Sequence, residues 1–169
     1  MHIRPAIPHD IPAILDLIRR VIPAMLASGN TQWDDSYPNA AVFERDIALD
    51  QLWVAEIDDT IGGVIALTTD QEPEYAKVGW DLTEPAIVTH RLAVDPAMRG
   101  KGIAAALLQQ AETLARASNI SVLRIDTSTK NEATQSLFPK LGYVLAGEIG
   151  LPSRPGLRVL CYEKRLSPS

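Results

Sequence analysis

"RLAVDPAMRGKGIAAALLQQAETLA", Arg91 to Ala115, passes from an apolar, strand-like segment through a loop with two glycines and two cations into an alanine-rich helix. Gly100 and Gly102 leave main-chain N–H groups unhindered at the start of that helix, where they point outward and the helix dipole favours negative charge. Arg99 and Lys101 add positive charge at the rim. The stretch reads as strand, anion-binding loop and helix, with phosphate as the obvious guest. A helix start bordered by solvated cations is the plainer alternative.

Upstream, "AIVTHRLAV" (86–94) is a nearly continuous apolar run, as expected of a central strand covered on both faces. Downstream, a helix over 102–118 carries Ile103, Leu107, Ala111, Leu114 and Ala115 on one stripe. "ISVLRIDTS" predicts a further strand, 131–141 a helix ending at Gly142, and "YVLAGEI" and "GLRVLCYEKRL" two closing strands. Towards the N-terminus, "HIRPA" predicts a short strand, followed by a helix capped by Asp10 and kinked or divided by Pro23. Asn39 is positioned to cap a second helix, in which Phe43 and Ile47 share a face. "QLWVAEI" and "IGGVIALTT" form a hairpin, and the acidic, aromatic stretch 70–85 reads as a loop bordering a pocket. Strands meet directly in places and through helices in others, which predicts an open α/β or mixed α+β sheet rather than a barrel.

With 169 residues, 46% hydrophobic and 22% charged, the chain has the size and composition of one globular domain spanning 1–169. No apolar run reaches the roughly 18 residues of a membrane helix, and the N-terminus lacks the order of a signal peptide, so a cytoplasmic protein without membrane contact is expected. One cysteine, Cys161, excludes an intrachain disulfide and a Cys-based zinc cluster, and the histidines lack metal spacing, so no metal is expected. A net charge of −5 argues against a nucleic-acid partner.

A Walker A loop fails, because Asp95 and Gly102 stand where its first glycine and its Ser/Thr belong. The dinucleotide fingerprint fits better: Gly100-Lys101-Gly102-Ile103-Ala104-Ala105 follows G-x-G-x-x-A, with Asp126 as the ribose-binding acid of a nicotinamide-dependent oxidoreductase. Against it, "DPAMR" intervenes where the fingerprint wants a tight turn, and too little chain follows Asp126 to complete such a fold.

Arg99-Gly100-Lys101-Gly102-Ile103-Ala104 also matches R/Q-x-x-G-x-G/A, and "LAVDP" precedes it. "NEATQSLFPKLGYVLAGE" follows as helix and strand, and "GNTQW", "YPN", "HRLAV" and "CYEK" stand in order along the chain. In these motifs the sequence resembles the GCN5-related N-acetyltransferase (GNAT) superfamily over nearly its whole length, and bacterial members most closely. The resemblance implies a mostly antiparallel twisted sheet with a splayed pair of central strands, flanked by helices, and an acetyl-CoA-dependent N-acetyltransferase. The amine of a small molecule, peptide or protein would attack the thioester directly. Arg99 to Ala104 would hold the pyrophosphate of acetyl-CoA. The main chain of Leu92, Ala93 and Val94 would bind the pantetheine arm and the oxyanion, and Asn131 would meet the arm or simply cap its helix. Trp33, Asp35 and Tyr37, with Asp34, lie in the loop that commonly walls the acceptor pocket. Superfamily members are frequently dimers, so a homodimer is among the assemblies implied.

The chemistry at the reacting centre departs from the superfamily's pattern. Phe138 stands where many relatives have a tyrosine acid, and phenylalanine cannot donate a proton; a thiol of ordinary pKa near 8.5 leaves without one. Tyr143 and Tyr162 are the substitutes, each better suited to packing. His90 is the candidate base, or a core histidine, with a water relay to Glu84 as the competing route. A CoA-binding module without turnover is the alternative that Phe138 motivates. Glu72, Glu74 and Asp81 read as solvated, and Cys161 as a buried apolar thiol.

Overall fold

The computed structural model describes residues 1–168. Seven strands form one sheet: β1 (His2–Pro5), β2 (Leu52–Ile57), β3 (Thr60–Thr68), β4 (Ile87–Val94), β5 (Val122–Ser128), β6 (Val144–Gly150) and β7 (Arg158–Arg165). Their spatial order is β1-β2-β3-β4-β5-β7-β6. Every neighbouring pair is antiparallel except β4 and β5. The mixed sheet expected from the sequence is therefore present, and the dinucleotide alternative, which needs a mostly parallel sheet, does not survive.

Four helices cover the sheet: α1 (Ile11–Ala27), α2 (Ala40–Ala48), α3 (Ile103–Ala117) and α4 (Glu132–Lys140). The strand pattern decides which face each one buries. Leu52, Val54, Val64 and Ala66 lie under α1 and α2 with Ile14, Leu17, Ile18 and Phe43. Ile65, Leu67, Ile87, Leu123 and Ile125 point the other way, against Ile103, Leu107, Leu108 and Ala111 of α3. Gly63 makes the second contact close: a Cβ there would stand 2.6 Å from Ile103 Cγ2. A third apolar cluster on the α1/α2 side joins Val88, Val122, Val159 and Cys161 to Tyr75.

Two local expectations need correction, and the alternatives for Pro23 narrow. Asp10 does not cap α1; its carboxylate receives both terminal nitrogens of Arg4, at 2.8 and 2.9 Å, and the Ile7 N–H. A full guanidinium outcompetes the helix N–H groups for the same oxygens. Pro23 does not divide α1, which runs unbroken from Ile11 to Ala27. Pro23 is exposed there, and the apolar face carried by Ile18 and Ile22 is undisturbed. The stretch 70–85 is not loop throughout, since Pro73–Val78 forms a 3-10 helix that buries Tyr75. The Asn39 cap is as expected, with the Val42 N–H donating to its side chain at 3.1 Å.

Candidate active site

The site begins with a missing stretch of strand pairing. β4 and β5 pair over three positions only, Ile87 with Leu123, Val88 with Arg124 and Thr89 with Ile125. Beyond Thr89, β4 stays bonded to β3 through Val94 but has no partner on its other edge. The two strands fork, and the main chain of His90 to Val94 has one edge open, as an inbound extended ligand requires. A bulge lies within this stretch, because Ala66 pairs with His90 and Val64 with Ala93, leaving Arg91 and Leu92 opposite Ile65. Arg91 takes the left-handed conformation there, with φ 51°.

A cleft of about 540 Å³ opens at the fork. Thr89, His90, Arg91 and Leu92 line it from β4, Ile125, Asp126 and Thr127 from β5, Thr134 and Phe138 from α4, and Asn131 from the N-cap of that helix. Trp33 and Tyr37 wall it from the α1–α2 loop, joined by Asp34, Glu72 and Arg154. Asp35 is exposed and faces a different depression between α1 and α2, so the structure does not bring it into the cleft. Its neighbour Asp34 lines the wall instead, paired with Arg154 at 2.9 Å.

At the end of β4, Pro96–Met98 makes a short 3-10 turn and the chain enters α3 through Gly100 and Gly102, with φ 81° and 77°. Those positive values need glycine, and a Cβ at either position would meet nothing within 4 Å. Gly102 is the N-cap of α3 and supplies no side chain, so the first N–H groups of the helix are uncapped. Arg99 and Lys101 are exposed and in no ion pair among the described residues. Open space, bare donors and two free cations fit a pyrophosphate. Asn131 caps α4, accepting the Thr134 N–H at 3.2 Å, and also borders the cleft.

The charged groups of the cleft are unevenly paired. Arg91 donates to both carboxylate oxygens of buried Asp46, at 2.7 and 2.6 Å, and to the Tyr37 hydroxyl at 3.1 Å. With Arg154 held by Asp34, both cleft guanidiniums are neutralised, whereas Glu72 and Asp126 make no ion pair among the described residues. Burial and then the Arg91 charge hold the His90 imidazole below its ordinary value, so it is neutral at physiological pH. Burial pushes the Asp126 carboxyl up to about 6; the hydrogen bond from the Tyr75 hydroxyl opposes this, and Glu72 adds to it.

The raised Asp126 value has a stability consequence. Between the ordinary aspartate range and about 6 the folded chain binds more protons than the unfolded one, so stability falls as pH rises through that window and stays lower above it. Asp126→Asn is expected to exceed the wild type in stability by about 2 to 3 kcal/mol near pH 8, because each pH unit separating the folded and unfolded titration midpoints is worth about 1.4 kcal/mol. That margin should vanish near pH 3, below both titration midpoints, where the aspartate is neutral in the folded and the unfolded chain alike. Urea unfolding at the two pH values checks this.

Phe138 is buried, and Tyr143 and Tyr162 pack around it with ring centroids 5.7 and 5.4 Å away. Neither tyrosine lines the cleft, and burial raises both phenols above their usual range. Glu84 is outside the cleft, bound to Arg124 and Arg165. Cys161 is buried and its thiol pushed up to about 12 by burial and then by Asp126. Among the residues that sequence reasoning did not place are Arg154, Thr127 and Thr134 of the cleft lining and Tyr75 behind it, which meets Asp126 from 51 positions away and carries no local signal.

Comparison with known proteins agrees with this geometry. The sequence model of the Acetyltransferase (GNAT) family matches residues 18–143. An uncharacterised N-acetyltransferase of Bacillus subtilis, YesJ, is 26% identical over 147 residues, which is 85% of this chain and 81% of the relative. The crystal structure of a GNAT-family acetyltransferase from Streptococcus agalactiae superposes with a TM-score of 0.82 at 28% identity, covering 99% of this chain and 96% of the other. The N-acetyltransferase PaiA of Thermoplasma acidophilum, solved in complex with coenzyme A, shares the fold at 17% identity, with a TM-score of 0.69 and 97% and 98% of the two chains covered.

Proposed function

Because the chain belongs to the acetyltransferase (GNAT) family, we propose that it transfers the acetyl group of acetyl-CoA to a primary amine of a small molecule or peptide. The fork between β4 and β5 carries this reading: it offers one open main-chain edge, from His90 to Val94, running towards the uncapped start of α3. In the proposed complex Arg99 to Ala104 hold the pyrophosphate, the edge at Leu92, Ala93 and Val94 receives the pantetheine amides, and Asn131 lies beside the arm. A coenzyme A complex of a protein with this fold supports the choice of cosubstrate.

The acceptor side favours a cationic amine. Trp33 and Tyr37 offer aromatic surface, and Glu72 and Asp126 offer charge that no guanidinium of the cleft cancels. Direct attack by the amine is supported by Cys161, whose buried thiol is a poor candidate for an acyl carrier. A main-chain N–H at the Leu92 bulge would receive the oxyanion. The CoA thiolate would leave without a side-chain acid, since Phe138 has no proton to give.

Thermal unfolding with acetyl-CoA, and with NAD(H) in parallel, tests the cosubstrate. Acetyl-CoA at 100 times its Kd should stabilise the native state by about 2.7 kcal/mol, and NAD(H) should not. Gly102→Val should abolish the shift by placing a β-branched side chain at a positive φ beside the donors. Thiol release with a panel of primary amines then tests turnover. A shift without release would identify a CoA-binding module that has lost catalysis.

A further inference from the structure

His90 and Asp126 occupy matching places on the two arms of the fork. The last paired register is Thr89 with Ile125, and each of these residues is the next along its strand. Their side chains share the sheet face of Val88 and Arg124, which are paired one position earlier, and this is the face that α1 and α2 cover. A thioester carbonyl lying in the fork would therefore have both side chains at its acceptor side. The two are not equivalent as proton acceptors. His90 stands beside a guanidinium and reaches only the Asp70 carbonyl, at 3.4 Å. Asp126 has one oxygen held by the Tyr75 hydroxyl at 2.5 Å, while its other oxygen accepts no hydrogen bond among the described residues and its side chain lines the cleft.

Resting on the acetyltransferase reading above, we infer that Asp126 receives the ammonium group of the acceptor and takes its proton, with Tyr75 as the residue that orients and tunes it. A carboxylate attracts the ammonium, whereas a neutral imidazole beside Arg91 does not. Each group facing Asp126 is consistent with this. Glu72 adds negative charge from the Pro73–Val78 side, Cys161 of β7 is a buried neutral thiol, and His90 across the fork is neutral. Arg91 and Arg154 are each bound to another carboxylate. One proton passes from the ammonium to Asp126. The freed lone pair forms the C–N bond to the thioester carbonyl carbon, and the C–S bond breaks as the intermediate collapses. The thiolate takes the second nitrogen proton, and Asp126 returns the first to water. The balance is one amide, one thiol and one released proton per turnover.

The test is the pH profile of kcat/KM for acetyl-CoA and the fastest amine among putrescine, tyramine and a lysine-containing peptide. The wild type should lose activity through an acid limb set by one group. Asp126→Asn should lower kcat/KM by about 100-fold to 10,000-fold and remove that limb. It should keep the acetyl-CoA thermal shift, which separates lost chemistry from lost fold. Tyr75→Phe withdraws the donor that favours the carboxylate, so its limb should move to higher pH, a displacement that a merely structural tyrosine would not cause. A limb that persists in Asp126→Asn, or that disappears in His90→Gln, overturns the assignment. If the wild type binds acetyl-CoA and acetylates nothing, the acetyltransferase reading fails on its own. Asp126 is then decided by carbon-13 NMR of its carboxyl, whose titration midpoint should fall with excess propylammonium; an unmoved midpoint overturns the assignment.

Discussion

Arg91→Ala is expected to destabilise the fold by about 3 to 5 kcal/mol, the usual cost of removing one partner from a buried ion pair. The Arg91 and Asp46 side chains are 14% and 3% exposed, and their two hydrogen bonds tie the β4 bulge to α2. Without the guanidinium, Asp46 keeps only the Gln51 side-chain amide at 2.9 Å, and a buried carboxylate with one neutral donor is poorly compensated. Chemical denaturation gives the loss, and a double-mutant cycle with Asp46→Ala should return a coupling of about 2 kcal/mol. A cycle near zero would show that each charge is satisfied elsewhere. Arg91→Gly separates two effects, because glycine tolerates the φ of 51° but supplies no guanidinium. It should unfold nearly as easily as Arg91→Ala, which would assign the loss to the ion pair and not to the backbone.

Arg124→Ala should cost about 3 kcal/mol, the lower end of that range. Its side chain is fully buried. The guanidinium donates to Glu163 at 2.9 Å, Gln71 at 2.6 Å, the Asp81 carbonyl at 3.1 Å and Glu84 at 3.3 Å, and lies 4.9 Å from the Trp80 ring centroid. The loss is moderated because Arg165 remains beside Glu84 and Glu163. The consequence for function is larger than the energy suggests. These contacts anchor the segment from Gln71 to Glu84, which carries Glu72 and Tyr75 to the cleft, so acceptor turnover should fall more than acetyl-CoA affinity. Arg124→Lys should recover little of either, since an ammonium cannot reproduce a planar fork of donors. Unfolding in urea and a split between kcat/KM for the amine and Kd for acetyl-CoA measure the two effects.

Both predictions concern contacts that no local sequence signal announces. Arg91 looks like an interruption in an apolar strand, and Arg124 like another. Each is a guanidinium whose carboxylate partner lies about 40 residues or more away in the chain. The same distance hid Tyr75 from sequence reasoning while Asp126 was visible. Asp126 was legible only as an acid at the end of a strand, which suits a ribose as well as an ammonium.

What could be read from the residues alone is what short-range physics controls. Gly100 and Gly102 require positive φ, Asn39 and Asn131 cap the helices that follow them, and apolar alternation locates the strands. The order of strands and helices predicted the mixed sheet, and the ordered motifs from "GNTQW" to "CYEK" carried the family resemblance. The errors have short-range causes too. Asp10 has the chemistry of a cap, and only the approach of Arg4 diverts it. Asp34 and Asp35 are adjacent, and one residue of turn geometry decides which of them faces the cleft. A G-x-G-x-x-A loop before a helix serves either a dinucleotide or acetyl-CoA, because the loop has the same local form in both. The intervening "DPAMR" segment and the short chain after Asp126 weigh against the dinucleotide, and tertiary structure decides, since strand direction and the end of the β4–β5 pairing after Thr89 are set by contacts between distant segments. In the proposed reading that fork makes the glycine loop one end of an extended binding edge, and it puts His90 and Asp126 on either side of the place where chemistry would occur.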